Sequence, residues 1–194
     1  MEEFLSSIYE NIINIINSST IFGPLFACFL IFIESILPVL PLFVFITIIF
    51  IAYGYTIGFL IAYLLTTLGC FFSFFMCRKF LKSFFKKKIR KIDNFDKFMK
   101  KIDKISFSNL VLLISIPFTP AFLINIAASL AEVSFKKFSI AILIGKPFIV
   151  FFWGFIGTSL LESLKNPKIL VIIIIMLGIS YLISKIVTKK LELN

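Results

Sequence analysis

Glu34 is the only charged side chain between Asn11 and Cys77, set in the run FLIFIESILPVLPLFVF. Four residues on stands Pro38, and then Pro41. The same Pro-x-x-Pro spacing returns at Pro117 and Pro120, with Thr119 between them and Asn125 just beyond. A third apolar run carries Lys146 between Gly145 and Pro147. An ionisable group at membrane depth costs roughly 2.5–3.5 kcal/mol on insertion scales, so it persists where it has a task or a partner. Loss of hydration would let Glu34 exchange protons near neutral pH; the competing reading is a fixed strut hydrogen-bonded to the opposite hairpin. Lys146 is the natural counter-charge. Facing inward it could neutralise Glu34 or attract a lipid phosphate, although its long stem equally permits it to snorkel to the interface. Each proline removes an N–H and leaves carbonyls that Ser35, Ser115, Thr119, Asn125 or water must meet. Glu34, Ser35, Thr119, Asn125 and Lys146 are therefore the candidates for a substrate path or coupling site, with Pro38, Pro41, Pro117 and Pro120 shaping the turns.

The elements around these residues read as membrane segments. Residues 19–53 are apolar and broken by two prolines, which fits a re-entrant hairpin better than one uninterrupted helix. Such broken backbone is tolerated at membrane depth only where protein or a water-filled cavity shields it. Gly54 and Gly58 mark close helix packing, and a span over 58–77 follows. Residues 105–134 repeat the hairpin, 138–160 form a span interrupted by Gly145-Lys146-Pro147, and 169–186 form a final span. Hairpin plus span thus occurs twice, in an all-α inverted repeat over 19–160. The usual meaning of that arrangement is a transport site where the halves meet. Residues 1–18 read as an interfacial amphipathic helix, with an apolar stripe through Phe4, Ile8, Ile12 and Ile16.

Residues 1–77 contain no Lys or Arg, whereas 78–104 contain twelve. Arg78, Lys79, Lys82, Lys86, Lys87 and Lys88 lead that block, and apolar residues recur within it at helical spacing. This describes a cationic amphipathic helix on an anionic cytoplasmic leaflet, and the positive-inside rule places it and the C-terminal lysines in the cytoplasm. The two hairpins then enter from opposite sides. Membrane lipids are the expected partners; a nucleic-acid site is not expected, and a homo-oligomer is compatible with the sequence.

Composition narrows the chemistry. The chain is 60% hydrophobic, above the 45–50% usual for soluble domains. It contains no His, which removes Ser-His and Cys-His nucleophile activation and the imidazole proton relay. Cys28, Cys70 and Cys77 lie in apolar segments without metal-like spacing and read as packing residues. No metal, cofactor or enzymatic activity is expected.

The pattern E-x3-P-x2-P followed by G-x3-G, and later IPFTPAFLINIAASLAEVSFKKF followed by a glycine-bearing span and WGFIGTSL, resembles the DedA-like (VTT-domain, SNARE-associated Golgi protein) superfamily. The resemblance covers residues 20–160 and implies two opposed re-entrant hairpins, with Glu34 as the hairpin acid. It also implies a link to lipid translocation: phospholipid scrambling in eukaryotes, and recycling of undecaprenyl phosphate or phosphatidylethanolamine in bacteria. Two departures stand out. The second acidic residue of proton-coupled bacterial members is absent from 42–77, and Ile114 and Ser115 stand where those members carry arginines. The match is closest to the bacterial branch lacking these arginines, so a bacterial plasma membrane is the expected location.

These observations lead to the expectation of a translocase for lipids or lipid-linked phosphates, with head groups passing between the hairpins. The alternatives are a proton- or ion-coupled small-solute transporter with Glu34 as its coupling site, and a non-transporting scaffold that maintains the envelope.

Overall fold

A computed structural model describes residues 22–35, 42–81, 102–119, 121–131, 133–164 and 166–190. The expected interfacial helix over 1–18, the residues Pro38, Pro41 and Pro120, and most of the basic block, including Lys82, Lys86, Lys87 and Lys88, lie outside the described residues. Among the described residues the protein is helical, without strands. The elements are α1 (Phe22–Glu34), α2 (Leu42–Met76) with a π-helical turn Cys77–Leu81, α3 (Phe107–Ser115), α4 (Ala121–Leu130), α5 (Phe135–Glu162) and α6 (Pro167–Lys190).

Helix α2 is two helices in one. Gly54 has φ 76° and ψ 168°, a region open to glycine because it lacks a Cβ. A Cβ built on Gly58 would lie 2.9 Å from both the Ile49 carbonyl oxygen and Phe50 Cα. Along a straight helix those positions are about 13 Å apart, so the chain reverses at Gly54. The first arm (42–53) lies back along the second (55–76), with Phe50 and Tyr55 rings 5.8 Å apart. Gly58 is therefore the packing glycine that was expected, whereas Gly54 supplies the turn.

Three helices are long and apolar enough to cross a membrane by length and composition: Leu42–Phe80, Phe135–Glu162 and Pro167–Lys190. With the reversal counted, the crossing part of the first is the second arm, about 33 Å long. The other elements are short. Helix α1 has 13 residues, α3 has 9 and α4 has 10, which is about 20, 14 and 15 Å of helix against a hydrocarbon layer of about 30 Å.

One expectation is corrected. Residues 135–162 form a single helix straight through Pro147, where a break at Gly145-Lys146-Pro147 was expected. Proline at 147 deprives one carbonyl, that of Leu143, of its helical donor. The Tyr63 hydroxyl on the second arm of α2 donates to that oxygen at 3.1 Å, so the group left without a partner is satisfied from outside the helix.

Two apolar clusters hold the body together. One joins Ala27 and Ile31 of α1 to Ile46, Ile49 and Phe50 of the first arm, Ala62 of the second, and Val150 of α5. The other joins Leu110, Leu113 and Ile114 of α3 and Ile124, Ala127 and Ala128 of α4 to Cys70 and Phe74 of α2, and to Phe138, Ala141 and Ile142 of α5. Each helix pair is thus packed against the same two long helices. Cys70 is a core residue, and Cys28, Cys70 and Cys77 are free. Helix α6 stays largely outside, with Ile173 and Ser184 its buried residues.

Candidate functional site

Both short helix pairs are seated on glycines. A Cβ on Gly69 would lie 2.4 Å from Ser35 Cβ, so the end of α1 rests on the second arm at that point. A Cβ on Gly145 would lie 2.7 Å from Ile114 Cγ2 and 3.1 Å from Ser115 Oγ, so the end of α3 rests on α5 in the same manner. Ser35 and Ser115 correspond in detail. Their hydroxyls donate to the carbonyls four residues back, Ile31 at 3.0 Å and Val111 at 2.7 Å. These serines therefore close the ends of their own helices rather than the carbonyls of the turns.

The pairs approach each other from opposite ends. The feet of the second are fixed at the basic end of α2, where Arg78 Nη1 donates to the Val133 carbonyl at 3.1 Å and Lys137 Nζ donates to that of Ile105. The first folds back at Gly54, at the other end of the second arm. Between them lies Trp153 of α5. Its ring is 6.1 Å from Phe43, at the start of the first arm, and 5.6 Å from Phe118, in the turn of the second pair. Phe118 holds φ at 66°, a left-handed conformation that costs an L-residue about 1–2 kcal/mol.

The chemistry-bearing side chains are carried by the helices that meet here. Lys146 stands two helical turns before Trp153, and thus on the same face. It is 3% exposed and is the single buried charged side chain among the described residues, so it faces inward and does not snorkel. Glu34, half-buried, is one turn beyond Ile31, while Lys146 is one turn before Val150; Ile31 and Val150 share one cluster. Asn125 is 1% exposed, and neither its amide nitrogen nor its oxygen has a partner among the described residues. Helix α4 runs alongside the second arm of α2 with a fixed offset of 55 residues. Ser129 Oγ donates to the Phe74 carbonyl at 2.9 Å, and Arg78 reaches Val133. That register places Asn125 at the level of Cys70, next to Gly69, on which Ser35 rests.

Thr67 and Thr119 also carry buried hydroxyls without partners among the described residues. Thr67 was not a sequence candidate, and neither were Gly69, Tyr63 or Trp153. A threonine in an apolar helix normally bonds its own backbone, as Thr66 does to Tyr63 at 3.2 Å, so nothing in the sequence separates Thr67 from Thr66. Of the expected surface cations, Arg78 has a structural duty, with its guanidinium also 5.5 Å over the Phe74 ring. Lys79 is exposed, with its ammonium 5.5 Å over Phe80. A buried amide with no partner among the described residues is costly, and together with the buried ammonium of Lys146 it gives these helices polar groups that could meet a ligand.

Residues 37–159 match the model of the VTT domain. Over its whole length the chain is 29% identical to YhjE of Bacillus subtilis (strain 168), described as an uncharacterized membrane protein, across 94% of that protein. No solved structure matches the chain.

Proposed function

Because the chain belongs to the VTT-domain (DedA) family of membrane proteins, in which transport and lipid flipping are recurrent activities, we propose that it is a translocase for membrane lipids or lipid-linked phosphates. The two short helix pairs act as re-entrant hairpins that dip into the bilayer from opposite faces. The observation that carries this reading is the approach of Phe43 and Phe118, one from each helix pair, to Trp153, on elements that also carry the buried Lys146, the half-buried Glu34 and an Asn125 buried without a partner among the described residues. Short helices that do not cross the bilayer thin the apolar barrier, and polar groups at their ends replace the hydration a head group loses on the way. The acyl tails remain in lipid while the head passes between the hairpins.

In this reading the protein resides in a bacterial cell membrane, with the basic block and the C-terminal lysines on the cytoplasmic side, by the positive-inside rule. It is a carrier of lipid rather than an enzyme. The test is reconstitution of the full chain into liposomes that carry a head-group-accessible fluorescent phospholipid, with leaflet exchange followed by chemical quenching. Wild type should accelerate exchange over protein-free liposomes, and Glu34→Gln and Lys146→Ala should remove the acceleration. Protein-free rates for wild type, with phospholipid and polyprenyl phosphate alike, would refute the proposal.

A further inference from the structure

The turn of the second helix pair is strained where the core supports it least. Among the described residues Phe118 is the one non-glycine residue with a positive φ, at 66°. Its side chain is 46% exposed, so burial does not hold it there. Two rings flank it instead. Trp153 of α5 lies 5.6 Å away at an interplanar angle of 74°, and Tyr181 of α6 lies 6.1 Å away at 84°. Both are the edge-to-face arrangement that aromatic quadrupoles favour. The left-handed backbone and one such ring pair each weigh roughly a factor of ten in an equilibrium. Two pairs therefore outweigh the strain, whereas one only matches it. Tyr181 belongs to the helix that stays largely outside the body, with Ile173 and Ser184 its buried residues. The neighbouring Thr119 hydroxyl, buried without a partner among the described residues, adds a second cost to the same turn. We infer that Phe118 is a strained latch held shut by Tyr181 of α6, and that its release lets the turn relax and moves Trp153. Strain that persists because surrounding contacts over-determine it marks a switch element. The Trp153 ring also meets Phe43 at the start of the first arm, so the position of α6 reaches both helix pairs through one side chain. The latch does not rest on the translocase reading, because its readout is Trp153 itself.

Trp153 is the one tryptophan of the chain, so its fluorescence lifetime in the full chain, held in lipid nanodiscs, reports the latch. Amide hydrogen exchange over residues 112–119 reports the turn. Tyr181→Ala removes one ring pair and should give Trp153 a second lifetime component and speed exchange in the turn by about tenfold. Tyr181 is 54% exposed, so the substitution opens no core. Tyr181→Leu keeps apolar bulk without the ring and should act in the same way, whereas Tyr181→Phe keeps the ring and should match wild type. Phe118→Gly removes strain and latch together, so in that background Tyr181→Ala should change neither signal further. Wild-type lifetimes and exchange in both Tyr181→Ala and Tyr181→Leu would overturn the inference. An equal response to Tyr181→Ala with and without Phe118 would overturn it too, because α6 would then be a general support and Phe118 no latch.

Discussion

Gly157→Ala should weaken the seating of the first hairpin on α5, by an amount the structure sets. A Cβ at that position would lie 1.6 Å from Thr47 Oγ1 and 2.9 Å from Thr47 Cβ. The threonine hydroxyl must leave, and it currently donates to the Phe43 carbonyl at 2.6 Å. Forced overpacking of this kind costs about 1–3 kcal/mol, and the helix preference of Ala over Gly offsets up to about 1 kcal/mol of that. The expected loss is therefore about 1–2 kcal/mol. Thr47→Ala alone removes one hydrogen bond, worth about 1 kcal/mol. In the double variant the 1.6 Å clash is gone and only the 2.9 Å Cβ contact remains. The two losses should then fail to add, with a coupling of about 1 kcal/mol in favour of the pair. Thermal unfolding in detergent can be followed through Trp153, the one tryptophan of the chain, which lies one turn from Gly157 and beside Phe43. At this chain length 1 kcal/mol corresponds to about 2–4 °C in Tm. Gly178→Ala is the control, because a Cβ there meets nothing within 4 Å. Strict additivity of the two substitutions, or a neutral Gly157→Ala, would refute both the contact and the chain reversal at Gly54 that makes it.

Gly54→Ala places a side chain at φ 76° and ψ 168° and should cost about 1–3 kcal/mol although the space there is open; a neutral Tm would mean that α2 does not turn there. Tyr63→Phe removes the donor to the Leu143 carbonyl and should lower stability by about 1 kcal/mol. The same substitution in a Pro147→Ala background, where the helix supplies its own donor, should cost measurably less in the same melt. Asn125→Leu exchanges a buried amide without partners among the described residues for an apolar side chain, so it should leave stability unchanged or raise it by about 1 kcal/mol while abolishing leaflet exchange. A destabilised Asn125→Leu protein with intact exchange would show that Asn125 is a packing residue.

Some of this was legible in the residues alone. Period and proline placement disclosed two short broken apolar segments and the spans that follow them, because proline's missing N–H and an apolar run's length act locally. Glu34 and Lys146 were conspicuous because charge in an apolar run is costly wherever it falls. Other features depended on neighbours far apart in the chain. Pro147 looked like a break, but Tyr63, 84 residues earlier by number, completes the helix around it. Gly69 and Gly145 looked like ordinary small residues until Ser35 and Ser115 were seen resting on them. Lys146 could reach the interface or turn inward on sequence grounds. The packing of other helices around α5 decided that Lys146 is enclosed. Local covalent constraints and the cost of charge in lipid are written along the chain. Which polar groups find partners, and which are left to meet a ligand, is decided only when distant helices close around them.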